Sequence, residues 1–178
     1  MYELFVLGEL CDKPMHGYWL HHVLSQMLPL RPVSWGSLYP VLQRLEEQGA
    51  IEIVPDSSDS GRPRKIYRLT AMGRRRFLAL MMEPIAPSPD ADEIFRIKLS
   101  KFHLLEPADR VAVARQYFEV LEMIAESLAE TQARVANEPN IGDRERSQIM
   151  TVISYEKAMS DARLKWMDHY IRTLDGEE

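Results

Sequence analysis

Three cations stand close together in the middle of the chain. Residues 61–65 (GRPRK) join a tight turn to Arg62, Arg64 and Lys65, and from Arg62 to Arg76 the sequence holds seven basic residues and no acidic one. A loop with this charge can lie along a phosphate backbone or enter a narrow minor groove, where the negative potential is enhanced. The alternative is a solvated basic face that only keeps a hairpin soluble. The pattern favours a phosphate-binding loop.

A second candidate lies on a helix expected from about residue 34 to residue 48. Its apolar residues recur at helical spacing and would face inward: Leu38, Val41, Leu42 and Leu45. The opposite face would carry Gly36, Ser37, Pro40, Gln43 and Arg44, with Tyr39 at its edge. Small residues at a helix start let phosphates approach free N–H groups, and Gln43 and Arg44 can donate to base edges or phosphates in a major groove. A plain surface helix is the alternative, but beside the basic loop the pattern favours DNA.

Other chemistries find little support in the sequence. His16, His21, His22 and Cys11 do not show the ligand spacing of zinc sites. The chain also has no glycine-rich phosphate loop and no nucleophile elbow. We therefore predict that the protein is not an enzyme and has neither a metal site nor a cofactor.

The three tryptophans, Trp19, Trp35 and Trp166, allow two interpretations. Flat aromatic walls suit a planar effector molecule, so these residues are candidates for an effector pocket. Tryptophans near Tyr170 at the end of the chain are more commonly core or dimer packing, and that interpretation is preferred here.

The distribution of charge explains how an acidic chain can still bind DNA. The net charge is −5, but residues 1–83 hold ten basic and nine acidic residues, whereas the rest holds twelve and eighteen. A phosphate surface responds to the local patch rather than to the total charge. With one cysteine, no long apolar run and no basic start typical of a signal peptide, the sequence predicts a cytoplasmic protein.

The elements that would position these residues follow a winged-helix order. Helices are expected over 3–11, 16–28 and 34–48, strands over 50–55 and 65–69, and a further helix after Thr70, which can cap it. The start of the third helix is open, because Pro40 is tolerated only near the first turn. Either Ser37 is the cap, or a start at Ser34 loses one hydrogen bond.

The sequence pattern of the C-terminal half predicts long helices that pack against a second copy of the chain. Residues 84–91 are proline-rich and read as a linker between a DNA-binding domain (1–83) and a helical domain (92–178), whose long helices cover about 108–136 and 143–174. The residues expected to make a homodimer are Phe118, Leu121, Leu128, Trp166 and Tyr170. The predicted fold class is mainly α with a small β-hairpin wing, that is, an N-terminal winged helix-turn-helix followed by a dimerisation domain.

Three segments carry a resemblance to a known family. They are residues 15–18 (MHGY), 34–49 (SWGSLYPVLQRLEEQG) and 61–73 (GRPRKIYRLTAMG), which together resemble the PadR family of transcriptional regulators. The C-terminal region resembles, in length and position, the helical dimerisation domain of the larger PadR subfamily. Trp19 departs from the family pattern, which commonly has an acidic or polar residue after the tyrosine.

The resemblance implies a homodimer that reads an inverted repeat in double-stranded DNA through two recognition helices. By analogy, the DNA contacts beside the wing cations would be Tyr18, Ser34, Gly36, Ser37 and Tyr39. Many members are repressors that small aromatic effectors release from DNA. The competing hypothesis is a winged-helix module that binds another protein, although such a module needs neither a bare cationic wing nor a helix start built of small residues.

Overall fold

The structure, a computed structural model, describes residues 1–28, 31–55 and 65–176 of the 178-residue chain. Its elements in chain order are α1 (Tyr2–Asp12), β1 (Met15–His16), α2 (Gly17–Met27), α3 (Trp35–Glu47), β2 (Ile51–Val54), β3 (Ile66–Leu69), α4 (Ala71–Met82), α5 (Ala91–Leu99), a 3-10 turn (Phe102–Leu104), α6 (Pro107–Asn137) and α7 (Asp143–Asp175). The predicted fold class is confirmed: the chain is mainly helical with a small antiparallel sheet.

The chain divides into two compact units. The first contains Met1–Glu83 together with Asp92–Leu105, and the second contains Pro84–Ala91 together with Glu106–Glu178. Helix α5 and the 3-10 turn are therefore grouped with the winged-helix elements. The domain limits expected from the sequence, at 83/84 and 91/92, stay a prediction about which segments fold on their own.

Helix α1 is the centre of the first unit. Every residue from Leu4 to Leu10 is buried, as expected for a short helix that is apolar on nearly all sides. The other helices of this unit present apolar stripes to the same core: Leu20 and Leu24 from α2, Leu38, Leu42 and Leu45 from α3, and Phe77 and Met81 from α4. The core thus fixes one face of α3 and leaves its opposite face to solvent.

The sheet contains one strand that the sequence did not predict. Its order is β1-β3-β2, and β2 pairs with β3 in the expected hairpin, with Ile53 opposite Tyr67. The additional strand β1 is only two residues long, and places Met15 opposite Tyr67 and His16 opposite Ile66. Two residues are too few for the alternation by which strands are recognised in a sequence.

A close junction joins α3, the hairpin and α4. Gly49 follows the C-terminal end of α3 with a left-handed φ of 69°, and Ala50 N–H donates to the Leu45 carbonyl at 2.9 Å. Thr70, the predicted cap of α4, accepts from Gly73 N–H at 3.1 Å, and its hydroxyl donates to the Ala50 carbonyl at 3.0 Å. A Cβ atom on Gly73 would lie 2.0 Å from that carbonyl oxygen. The junction therefore requires glycine at position 73.

Two buried lysines attach α5 and the following turn to the first unit. Lys98 is 2% exposed and donates to the Glu83 carbonyl at 2.5 Å, and burial lowers its pKa to about 8. Lys101 lies 2.7 Å from both Glu9 and Asp12. A buried charge without a partner is costly, so these pairings hold the segment in one place.

The second unit is a long helical hairpin of α6 and α7. Its buried residues are Val113, Ala114, Tyr117, Val120 and Leu121 from α6, and Ile153, Ser160, Met167, Ile171 and Leu174 from α7. At the connection, the Arg146 guanidinium donates to the carbonyls of Ala136, Glu138 and Ile141 at 3.0, 2.7 and 2.8 Å. Within the described part of the chain, no helix combines the length and apolarity needed to cross a membrane.

The close contact at Gly73 predicts that an alanine at this position destabilises the folded protein strongly. Gly73→Ala should lower the free energy of unfolding by about 3 kcal/mol or more, because backbone at Ala50 must move to admit the methyl group. Urea unfolding followed by circular dichroism measures the loss. Gly142→Ala is the control, since a Cβ atom there meets nothing within 4 Å. Equal midpoints for the two variants would show that the junction can relax.

Candidate nucleic-acid interface

Two serines, Ser34 and Ser37, form the N-terminal cap of α3. Ser34 is the N-cap, so the earlier of the two predicted helix starts is the one that occurs. Its side-chain oxygen accepts from Ser37 N–H at 3.2 Å, and the two hydroxyls are 2.9 Å apart. Pro40 lies inside the helix and has no N–H for the Gly36 carbonyl, which is the hydrogen bond expected to be lost. By helix geometry the N–H groups of Trp35 and Gly36 have no intrahelical acceptor, and they point out of the helix start.

The outward face of α3 has the predicted composition. Its exposed residues include Ser34, Gly36, Tyr39, Pro40, Gln43 and Arg44, whereas Ser37 is half-buried. The small residues occupy the helix start, and the long donors Gln43 and Arg44 lie about two turns further on. This arrangement brings free N–H groups and side-chain donors onto one surface.

Two of the long donors already have partners within the chain. Gln43 donates to Glu47 at 3.1 Å, and Arg44 lies 3.3 Å from Glu3 of α1. Glu3 also pairs with Arg76 of α4 at 2.7 Å. Surface pairs of this kind stabilise by at most about 1 kcal/mol, so they can exchange for a base or a phosphate at little cost.

Tyr67 of β3 connects the hairpin to α2 and α3. The side chain is 4% exposed, and burial, with a hydrogen bond between its hydroxyl and that of Tyr39, raises its pKa to about 12. Its ring also packs against Gly17, where an added Cβ atom would be 3.4 Å from the ring. Tyr67 therefore positions Tyr39 relative to the start of α2.

An open cleft of about 610 Å³ lies around this tyrosine. Its lining is His16, Gly17, Tyr18, Trp19, Trp35, Tyr39, Lys65 and Tyr67. Four large rings in the lining remain well exposed: Tyr18 at 66%, Trp19 at 53%, Tyr39 at 49% and Trp35 at 44%. The structure thus brings together three predicted DNA contacts (Tyr18, Tyr39 and Lys65) and two predicted effector residues (Trp19 and Trp35).

Histidines of α2 hold the two indole rings of the cleft. The His21 ring stacks on Trp35 with centroids 4.4 Å apart and 12° between the planes, and its Nε2 lies 2.8 Å from the Val33 carbonyl oxygen. The His22 ring meets Trp19 edge-on at 5.3 Å. These histidines support aromatic residues, and among the described residues no group of three or more His, Cys, Asp and Glu is placed to hold a metal ion.

The wing is described only at its base. Lys65 is exposed at the start of β3, and across the hairpin Arg68 is paired with Glu52 at 2.9 Å. Arg62 and Arg64 lie outside the described residues, so their predicted DNA contacts stay predictions.

The remaining predicted residues belong to the second unit. Leu121 is fully buried within that unit, whereas Phe118 and Leu128 are half-buried. Trp166 is 49% exposed and stacks on Tyr170 with centroids 5.0 Å apart. Leu121 therefore stabilises the hairpin itself, contrary to its predicted place in a dimer interface, and Trp166 is the exposed ring of the pair, whereas Tyr170 is half-buried.

An exposed apolar stripe runs along α7, and Trp166 is its one member among the residues predicted to form a homodimer. It consists of Val152, Tyr155, Met159, Ala162 and Trp166, with side chains exposed at 60%, 63%, 45% and 49% for the four large residues. The spacing alternates between three and four residues, which is the pattern of a helix that packs along another helix. The buried stripe of α7 lies on a different side of the helix, so this surface has no partner in its own hairpin.

Tyr67 and Glu3 belong to the candidate interface but were not predicted from the sequence. Tyr67 sits at the one inward position of the short strand β3, between half-buried Ile66 and exposed Arg68, which reads simply as core. Glu3 is separated from Arg44 by 41 residues, and no local pattern reports such a pair. Only the folded chain shows that both support α3.

Comparison with known proteins finds similarity in the first unit. Residues 6–79 match the model of the transcriptional regulator PadR-like family. A transcriptional regulator of Mycobacterium tuberculosis is 39% identical over 72 residues, which are 40% of this chain and 64% of that protein. The matched part thus spans less than two thirds of that relative. Family and relative are described as regulators, in agreement with the prediction that the chain is not an enzyme.

Solved structures with similarity to the whole chain are more distant in sequence. Bacillus subtilis PadR, crystallised in complex with operator DNA, is 15% identical with a TM-score of 0.44, and the match covers 96% of each chain. A PadR-like transcriptional regulator from Bacillus cereus is 20% identical with a TM-score of 0.40, and the match covers 100% of each chain.

The burial of Tyr67 predicts a contribution to stability that depends on pH. Tyr67→Phe should lower the free energy of unfolding by about 1 kcal/mol near pH 8, because the hydrogen bond to Tyr39 is lost. The pKa of Tyr67 is higher in the folded chain, at about 12, than in the unfolded chain, where it is 10.0. The neutral hydroxyl therefore stabilises the folded parent below pH 10, and this contribution is lost as the pH rises from 10 to about 12.

The advantage of the parent over Tyr67→Phe should therefore vanish by about pH 11, at roughly 1.4 kcal/mol per pH unit above pH 10. Urea unfolding at pH 8 to 11 measures it. Tyr18→Phe is the matched control, since this side chain is 66% exposed. A constant difference between parent and Tyr67→Phe across this range would contradict the assignment.

Proposed function

We propose that the protein is a DNA-binding transcriptional regulator of the PadR family, because residues 6–79 match the model of the PadR-like family. The observation that carries the proposal is the surface shared by Tyr18, Tyr39 and Lys65 with the free start of α3. Its proposed ligand is chromosomal DNA, and on that ground we place the protein in the cytoplasm.

In this proposal α3 enters the major groove. Its first N–H groups and the hydroxyls of Ser34 and Ser37 meet phosphate oxygens, which fixes the register of the helix. Gln43 and Arg44 exchange Glu47 and Glu3 for base edges. The wing, with Arg62, Arg64 and Lys65, lies along the backbone or in the adjacent minor groove.

We propose that the protein acts as a homodimer. The α7 stripe from Val152 to Trp166 is the surface that a second copy would cover, since each large residue exposes 45% or more of its side chain. Burying one such side chain is worth roughly 1.5–3 kcal/mol, so several together can hold two chains. A two-fold dimer presents two recognition helices to the two halves of an inverted repeat.

Repression follows if the dimer occupies promoter DNA, and release follows if a small aromatic effector weakens that binding. The proposed effector residues Trp19 and Trp35 line a cleft beside the start of α3. The second candidate function is a winged-helix module that binds another protein. A phosphate backbone would bind both Lys65 and the exposed N–H groups of α3. A protein-binding module does not require these two features together.

Lys65 and Gln43 should contribute to DNA binding in different ways. Lys65→Ala should weaken binding to every duplex and flatten the slope of log affinity against log salt by about 0.9 per lost phosphate contact. Gln43→Ala should instead change the preference among sequences, by about 1–3 kcal/mol. Fluorescence anisotropy with the DNA upstream of its own gene and with random duplex, at several salt concentrations, measures both effects.

Lys165→Ala, at an exposed position of α7, is the control for loss of one positive charge. If Lys65→Ala and Lys165→Ala behave alike at every salt concentration, the base of the wing is not a phosphate contact. If the parent shows no preference for its own upstream DNA and no salt dependence, the protein-binding alternative replaces this function.

The dimer prediction uses two variants that add the same charge to α7. Met159→Glu puts a carboxylate in the middle of the exposed stripe and should convert a dimer to a 20.6 kDa monomer, because burying an unpaired charge is costly. Ser154→Glu lies on another exposed side of α7 and should leave the dimer intact. Light scattering gives both masses. A monomeric parent, or a dimeric Met159→Glu, would rule out this interface.

A further inference from the structure

The first residue of α3, Trp35, has an exposed indole ring beside the proposed DNA surface. We propose that Trp35 is itself a DNA contact: its indole N–H donates to a phosphate of the strand that forms one wall of the major groove, and His21 positions the ring for this contact. The inference rests on the proposed DNA-binding function and deepens it, because it adds a backbone contact and a residue that orients it. The role requires no effector.

The dimensions of a helix and of the groove bring the edges of α3 against the groove walls. The major groove of B-DNA is about 12 Å wide, and a helix with its side chains has a diameter of about 10–12 Å. Successive residues are about 100° apart around the helix, so Trp35 and Tyr39 lie at one edge of the outward face, whereas Gly36 and Pro40 lie near its centre. The central residues therefore face base edges, and Trp35 faces a sugar–phosphate wall.

The surroundings of Trp35 favour a phosphate at this edge of the helix. Trp35 lines the open cleft together with Tyr18 and Lys65, which are both proposed DNA contacts, and the described lining contains neither Asp nor Glu. The backbone N–H groups of Trp35 and Gly36 are free at the helix start and attract an anion to the same place. A backbone phosphate is therefore the part of DNA that this edge of α3 fits.

The indole N–H of Trp35 is available to such a phosphate. The residue is 44% exposed, and among the described residues its Nε1 has no hydrogen-bond acceptor. A donor that meets a charged oxygen forms a stronger hydrogen bond than one that meets a neutral oxygen. The indole also combines this donor with a flat apolar ring, which can lie against a deoxyribose.

His21 holds the ring in place before DNA arrives. Its ring stacks on Trp35 with centroids 4.4 Å apart and 12° between the planes. Its Nε2 lies 2.8 Å from the Val33 carbonyl oxygen, and because a carbonyl can only accept, Nε2–H is the donor. Val33 directly precedes Ser34, the N-cap of α3. One histidine thus fixes both the chain that enters α3 and the side chain of its first residue, which lowers the entropy lost when Trp35 binds.

Trp35→Phe tests the donor, because phenylalanine can still stack on His21 but has no N–H. Fluorescence anisotropy at several salt concentrations should show about tenfold weaker binding, to the DNA upstream of its own gene and to random duplex alike. The slope of log affinity against log salt should equal that of the parent, because a neutral donor releases no counterions, whereas Lys65→Ala flattens the slope. Parental affinity, a flatter slope, or a changed preference among sequences would overturn the contact.

Methylphosphonate substitutions locate the partner on the DNA. Each phosphate of the upstream duplex is replaced in turn by a neutral methylphosphonate, and the parent and Trp35→Phe are titrated with each duplex. At the contacted phosphate the parent should lose about tenfold more affinity than the variant, which has no indole N–H to lose. Substitutions at the other phosphates should affect both proteins equally and are the control. A scan in which no position separates the two proteins would contradict the assignment.

His21→Gln tests the positioning role, since glutamine can donate to the Val33 carbonyl but does not stack on the indole. It should weaken DNA binding several-fold in the parent, and by less than about twofold in the Trp35→Phe background, where the indole contact is already absent. Equal losses in the two backgrounds would show that His21 supports α3 in general, and its positioning role would then be wrong.

DNA binding by the parent is measured first, so that the contact and the function fail separately. A parent that binds no DNA overturns the proposed function and the contact together. A parent that binds DNA with a salt-dependent affinity, beside a Trp35→Phe variant of the same affinity, overturns the contact alone.

Discussion

The geometry of the first unit depends on the contact between Gly73 and the Ala50 carbonyl. Three backbone segments meet there: the end of α3, the start of β2 and the first turn of α4. Thr70 ties them together by donating to the carbonyls of Gly49 and Ala50, at 2.7 and 3.0 Å, and by accepting from Gly73 N–H. Since β2 begins and β3 ends at this point, the contact sets the position of these two strands relative to α3.

The position of the cleft follows from that constraint. The register that begins at Ile51 opposite Leu69 places Tyr67 on the inner side of the hairpin, where it reaches Tyr39 and Gly17. On the other side of α3, Glu3 holds Arg44 and Arg76. Helix α3 is thus contacted by Tyr67 of the hairpin through Tyr39 and by Glu3 of α1 through Arg44.

Local patterns account for the parts that could be predicted. The stripe Leu38, Leu42 and Leu45 gives the buried side of α3, and Thr70 three residues before Gly73 gives the start of α4. What escaped prediction depends on contacts between distant residues: strand β1, the Tyr67–Tyr39 pair and the place of Leu121 inside its own hairpin. A heptad-like pattern does not say which of two apolar stripes the hairpin buries and which it leaves to a second chain.

The charge of the chain is distributed unevenly along the sequence, and this bears on the proposed interface. Residues 1–83 carry a net charge of +1 (ten basic, nine acidic), and the rest carries −6 (twelve basic, eighteen acidic), which together give −5. In the proposed function the basic run that ends at Arg76 is the part of the chain that attracts a phosphate backbone, because such a backbone responds to the local charge rather than to the net charge.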